Sequence, residues 1–191
     1  MADKKWAMVY DANKCIACQA CSVACRVENN VPENLYRLQV QMEGPNGVYP
    51  KLGMNFHRQS CVMCNNPPCV PVCPTGASHI NNEGVTLVDN NKCIGCKYCI
   101  VACPYKARFV NSVTSAADKC TFCWGTRVSK GQKPACVEQC ITGALLFGDL
   151  NDPNSEVNVY LRNHHHILSK EHLNTKPKLY IIPSQRGGVK A

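Results

Sequence analysis

The sequence predicts an α+β protein of two nested lobes, with a hairpin inserted in one lobe and a helix-and-strand extension at the C-terminus. Three observations carry that prediction. All 16 cysteines of the 191-residue chain fall into four groups of four. The last three groups close on a common motif, CPTGA at 73–77, CPYKA at 103–107 and CITGA at 140–144. Between the groups run short apolar segments separated by Gly, Asn and Pro turn signals, which read as small hairpins rather than long helices.

The clearest group is CIGCKYCIVACPYKA at 93–107, with Cys93, Cys96, Cys99 and Cys103. Two residues separate each of the first three cysteines, three precede the fourth, and Pro104 follows. Bacterial ferredoxins bind [4Fe–4S] clusters with this run. A short curled loop brings three thiolates to one face of a cuboidal cluster. The fourth cysteine lies where the chain turns away, and it ligates the other cluster of a pair. Cys15, Cys18, Cys21 and Cys25 repeat the spacing. Cys61, Cys64, Cys69 and Cys73 stretch one gap to four residues, and Cys120, Cys123, Cys136 and Cys140 stretch the same gap to twelve.

Each group therefore implies a partner group. Linear pairing joins first to second and third to fourth; nesting joins second to third and wraps the outer two around them. Pro74 and Pro104 follow the last cysteines of the middle groups, whereas Arg26 and Ile141 follow those of the outer ones, a palindrome that favours nesting. The expected ligand sets are then Cys15, Cys18, Cys21 and Cys140 (cluster A); Cys120, Cys123, Cys136 and Cys25 (B); Cys61, Cys64, Cys69 and Cys103 (C); and Cys93, Cys96, Cys99 and Cys73 (D). An outer ferredoxin-like lobe takes residues 1–59 with 111–150, an inner one takes 60–110, and 151–191 is the extension.

Along the chain, WAMVY at 6–10 reads as a strand. Tyr36, Leu38, Val40 and Met42 alternate onto one face, GPNG at 44–47 signals a turn and LGMNFHR returns, giving an inserted hairpin over about 35–58. After Cys73 and again after Cys103 the pattern is hairpin-like, the first turning at Gly84. A helix is expected to start near Pro153, capped by Asn151 or Asp152, and LYIIP at 179–183 reads as a strand before the loose tail QRGGVKA. The extension has no cysteine and no core of its own, so it is expected to pack on a partner.

Four Phe and two Trp are too few for a large aromatic core, so lobes this small are expected to draw folding energy from metal. The formal charge of +8 invites a nucleic-acid reading. Four [4Fe–4S] clusters with their thiolates carry about −8 between them, which brings the loaded protein near neutrality and removes that reading. Three thiols on one CxxCxxC loop suit a metal better than disulfides. Structural zinc pairs two CxxC knuckles and leaves the third cysteine surplus, so a zinc-stabilised interaction module is the remote alternative. No signal peptide, twin-arginine pair or membrane span is legible.

Lys14, Lys92 and Lys119 each precede the first cysteine of a group, and read either as cations that raise a cluster's potential or as solvated lysines. Arg127, Lys130 and Lys133 lie in a charged loop between Cys123 and Cys136. His164, His165 and His166 cannot all face one metal from a helix, since successive side chains point about 100° apart. No catalytic constellation stands out.

With NNPPCVPVCPTGA, CIGCKYCIVACPYKAR, and KCTFC followed by KPACVEQC, the chain resembles the four-cluster iron–sulfur subunits of the DMSO reductase superfamily of molybdoenzymes. GDLNDPNSEV and PKLYII make it most similar to the polysulfide and thiosulfate reductase type, and the resemblance covers residues 6–183. It implies a non-catalytic electron-transfer subunit with four [4Fe–4S] clusters, placed between a molybdopterin (bis-MGD) catalytic subunit and a quinone-binding integral membrane subunit. The pair containing Cys15 and Cys120 then lies toward catalysis and the middle pair toward the membrane. Some relatives carry Trp for a cysteine of the third group and hold a [3Fe–4S] cluster; Cys96 here implies four cubanes. The resemblance further implies the periplasmic face of the cytoplasmic membrane, with export in the company of the catalytic partner. The alternative is a cytoplasmic polyferredoxin-type carrier for a formate dehydrogenase or hydrogenase complex.

Overall fold

The expected first strand is β1 (Trp6–Asp11) of the computed structural model, which describes residues 4–185. Its alternation divides two packing zones. Ala7 and Val9 are fully buried in a small cluster with Leu146, Val157 and Ile182, whereas Met8 and Tyr10 face the main core with Leu145, Phe147 and Leu179. β1 sits inside a four-stranded sheet with β8 (Leu145–Asp149) antiparallel on one side and β10 (Leu179–Ile182) parallel on the other; β9 (Ile167–Leu168) closes the edge. Trp6 stacks on Phe147 at 5.1 Å, and Phe122 meets Phe147 edge-on at 5.3 Å.

The C-terminal extension, expected to pack on a partner, pairs within this chain's own sheet. Met8 lies beside Leu179 and Asp11 beside Ile182, so the extension completes the chain's own sheet. On the way it straps the middle cysteine groups. The backbone N–H groups of Asn65 and Asn66 donate to the carbonyls of Lys176 and Thr175, Tyr105 donates to Ser169 O, and Lys170 Nζ reaches Pro104 O at 2.6 Å. The helix in this segment is α4 (Glu156–Asn163), which starts later than expected. Asp152 closes its own turn by accepting from Asn154 N–H at 2.9 Å, so the cap passes to Ser155, whose Oγ accepts from Asn158 N–H. The tail at 186–191 lies outside the described residues.

The inserted hairpin pairs β2 (Leu38–Val48) with β3 (Lys51–Ser60). GPNG does not form its tip: the register shifts between Glu43 and Asn46, the strand continues, and the chain reverses at Tyr49–Pro50. Gly47 is needed there, with φ +105° and the carbonyl oxygen of Lys51 where a Cβ would intrude. The two small hairpins are present as β4 (Ser78–Ile80) with β5 (Thr86–Val88), turning at Gly84, and β6 (Phe109–Val110) with β7 (Ala117–Asp118). The second of these straddles the expected lobe boundary at 110/111, because its two strands bond to each other. Short helices α1 (Ala20–Glu28), α2 (Tyr98–Val101) and α3 (Ala135–Glu138) carry or precede the later cysteines of their groups.

Candidate metal centres

Each cysteine loop curls through a left-handed residue just before its second cysteine: Ala17 (φ 55°), Met63 (φ 50°), Gly95 (φ 68°) and Phe122 (φ 55°). Only one of these is glycine, so the others hold a conformation that costs a side chain free energy. The curl turns backbone N–H groups onto sulfur: Ala17 donates to Cys15 Sγ and Phe122 to Cys120 Sγ, both at 3.5 Å. From the hairpins, Ser78 N–H donates to Cys73 Sγ and Ala117 N–H to Cys93 Sγ, both at 3.4 Å.

The folded protein brings the sixteen sulfurs to four cavities of similar size. Cys15, Cys18, Cys21 and Cys140 line one of about 380 Å³. Cys25, Cys120, Cys123 and Cys136 line a second of about 280 Å³. Cys73, Cys93, Cys96 and Cys99 line a third of about 330 Å³, and Cys61, Cys64, Cys69 and Cys103 a fourth of about 340 Å³. We label them A, B, D and C. Cys18 of A is exposed, whereas all four cysteines of B are buried. Among the described residues no three His, Cys, Asp or Glu side chains are set to hold a single metal ion; the thiols stand around a volume instead.

Burial drives these thiols toward their neutral form. It pushes Cys64 and Cys136 up to about 12, and raises Cys25, Cys69 and Cys120 as well. Neighbouring cysteines add to the shift, since thiolates repel one another. A multivalent cation must therefore displace protons to bind. Loading the iron-free chain at neutral pH is expected to release protons and to run faster as pH rises. Titration in two buffers of different ionisation enthalpy checks this; equal heats in both buffers contradict it.

The surroundings of the cavities are cationic in a way the sequence did not disclose. Arg58 is 9% exposed and Arg108 5% exposed. Among the described residues neither is paired with a carboxylate. Nε and Nη2 of Arg58 and Nη1 of Arg108 are buried without a partner. Lys119 and Lys178 are each 1% exposed, and their ammonium groups donate to carbonyls: Thr86 O and Cys120 O for Lys119, Gly84 O for Lys178. Buried cations without counterions are costly. Anionic iron–sulfur clusters in the thiol-lined cavities fit both the donor set and this uncompensated charge.

The three lysines singled out from the sequence have different fates. Lys119 is buried as described, Lys92 is exposed beside Asp89 at 3.8 Å, and Lys14 is exposed over the Tyr160 ring at 4.8 Å. In the charged loop, Arg127 pairs with Glu28 and Glu138, Lys133 pairs with Glu156, and Lys130 is exposed. His164, His165 and His166 are exposed, with His164 stacked on Tyr160.

Sulfur quartets on ferredoxin-like loops, within a small mixed α/β frame, define an iron–sulfur protein that binds 4Fe–4S clusters. Comparison with known proteins agrees: two family models, each described as a 4Fe–4S dicluster domain, match residues 14–77 and 52–150. The sequence is 52% identical to a subunit of the polysulfide reductase of Wolinella succinogenes over 189 residues, 98% of this chain and 99% of the relative. It is 48% identical to protein NrfC of Escherichia coli over 97% of this chain and 83% of that one. It is 50% identical to thiosulfate reductase electron transfer subunit PhsB of Salmonella typhi over 78% of each. The protein belongs to this family of 4Fe–4S dicluster electron-transfer subunits, and it conducts electrons rather than transforming a substrate.

Proposed function

We propose that this protein is the four-cluster relay of a membrane-associated reductase complex, with one [4Fe–4S] cluster in each of A, B, C and D and the ligand sets given above. The observation that carries the reading is the make-up of the cavities: each is lined by three cysteines of one group and the last cysteine of its nested partner group. When bound, the clusters supply one-electron carriers. The protein's part is to set their order and their surroundings. Arg58 lines both A and B, Arg108 lines both C and D, and Cys120 of B is within electrostatic reach of Cys61 of C. The order along the molecule is therefore A, B, C, D.

End A, with exposed Cys18, faces a molybdopterin catalytic subunit, and end D faces a quinone-reactive membrane subunit. The names of the relatives support a reductase of sulfur compounds. The complex works on the periplasmic face of the membrane. Among the described residues no helix is long and apolar enough to cross a membrane. Anaerobic purification of the assembled complex should give about sixteen irons and sixteen acid-labile sulfides per copy of this protein, together with a molybdenum-containing partner. Half that iron, stoichiometric zinc, or a soluble carrier with no membrane partner would overturn the reading.

A further inference from the structure

We propose that Arg58 and Arg108 are equivalent bridging cations, one for each pair of cavities, and that each raises the reduction potentials of two neighbouring clusters together. This rests on the four-cluster reading above and deepens it. The two arginines reach their places by unrelated routes. Arg58 stands on the inward face of β3 with Ser60, whereas Arg108 follows the CPYKA motif and has Ser78 as its counterpart after CPTGA. They end in the same relation to the sulfur. Arg58 lines A and B, and its charge reaches Cys21 of A and Cys120 and Cys136 of B. Arg108 lines C and D; its Nη2 donates to Cys69 Sγ of C at 2.9 Å, and its charge also reaches Cys99 of D.

Each guanidinium is anchored by one buried serine: Arg58 Nη1 donates to Ser60 Oγ at 2.5 Å, and Arg108 Nη2 donates to Ser78 Oγ at 2.9 Å. The anchor fixes one edge of the fork and leaves the N–H groups without partners lodged among the thiol-lined walls. An arginine cannot shed its charge under burial as a lysine can, so the cation persists in every redox state. The reduced cluster carries one more negative charge than the oxidised one. A fixed cation against two clusters therefore favours reduction of both, and low local polarity strengthens the effect. Lys119 and Lys178 do not bridge in this sense, because neither lines any of the four cavities.

The test is a redox titration of the assembled complex followed by electron paramagnetic resonance. In R108Q two of the four cluster signals are expected to titrate lower, by about tenfold in the reduced-to-oxidised ratio at fixed potential, which is about 59 mV for a one-electron couple. In R58Q the other two signals move. R108K and R58K should restore most of each shift, because they keep charge while changing shape. Four unmoved signals in a fully loaded R108Q or R58Q overturn the proposal, as does a single moved signal. Clusters lost in the Gln variants but retained in the Lys variants support a requirement for charge. Loss in both assigns the side chains to packing and overturns the bridging role. The wild-type iron count tests the four-cluster reading separately, so failure of one is distinguishable from failure of the other.

Discussion

Stripping the iron under anaerobic conditions is expected to unfold residues 61–118 and to leave a remnant around β1, β8 and α4. Apart from the strap at 169–178 and the packing of Val62, Met63 and Val85 on the main core, the middle cysteine groups own little that can hold them. Their strands are two or three residues long and pair only in isolated hairpins, and α2 has four residues. Isolated two-stranded hairpins are marginal in water. The buried residues near them include Cys64, Cys69 and Cys99, so the cavities interrupt what apolar packing exists. Metal in a small domain supplies folding free energy on the order of 10 kcal/mol per site, more than such packing can replace. By contrast, Ala7, Val9, Leu146, Val157 and Ile182 form a cysteine-free cluster between the sheet and α4. Tyr160 adds a 2.5 Å hydrogen bond to Asp11 across it. Hydrogen exchange before and after chelation checks this: protection should vanish over 61–118 and persist longest in β1 and β8. Equal protection over 61–118 in the iron-free protein would contradict it.

What the sequence disclosed and what it hid follow from the range of the interactions. The cysteine groups were legible because their spacing is a local property, and the palindrome of Pro74 and Pro104 against Arg26 and Ile141 supports the nesting proposed above. The hairpins after Cys73 and Cys103 were legible from alternation and Gly84. The parallel pairing of β10 with β1 was not, because LYII carries no mark of its neighbour at the other end of the sequence. The hairpin tip was misplaced because GPNG has turn residues that a bulge also accommodates. Of the buried cations, Lys119 was singled out but not told apart from its two counterparts, and Lys178, Arg58 and Arg108 were missed, for a different reason. Lys14, Lys92 and Lys119 occupy the same place before their cysteines, yet only Lys119 is enclosed, and residues from other elements enclose it. Arg58 did leave a trace: it shares the inward face of an alternating strand with Ser60. A charge at an inward position of a strand beside a cysteine loop is the signal that was available.

Replacing Cys136 by Ser is expected to reduce turnover driven from the membrane partner to the background of cluster-free material. Dye-driven activity of the catalytic partner, which bypasses this subunit, should stay near wild type. B stands between A and C in the proposed order, so its loss divides the conduit. It is also where the structure is least able to compensate. Cys25, Cys120, Cys123 and Cys136 are 4–6% exposed, so no solvent ligand can reach the vacant iron without opening the core. The serine hydroxyl is a far poorer anion than a thiolate at neutral pH, and burial worsens it. Cys18→Ser makes the internal comparison. That cysteine is exposed at end A, where water can complete the coordination, so the variant should keep its fold and most of its iron while still slowing transfer. Iron content, cluster signals and turnover measured on both variants separate a broken middle from a damaged end. Membrane-driven turnover surviving in a Cys136→Ser protein that has lost the cluster in B would show that electrons do not pass through B, and the linear order of the relay would fall with it.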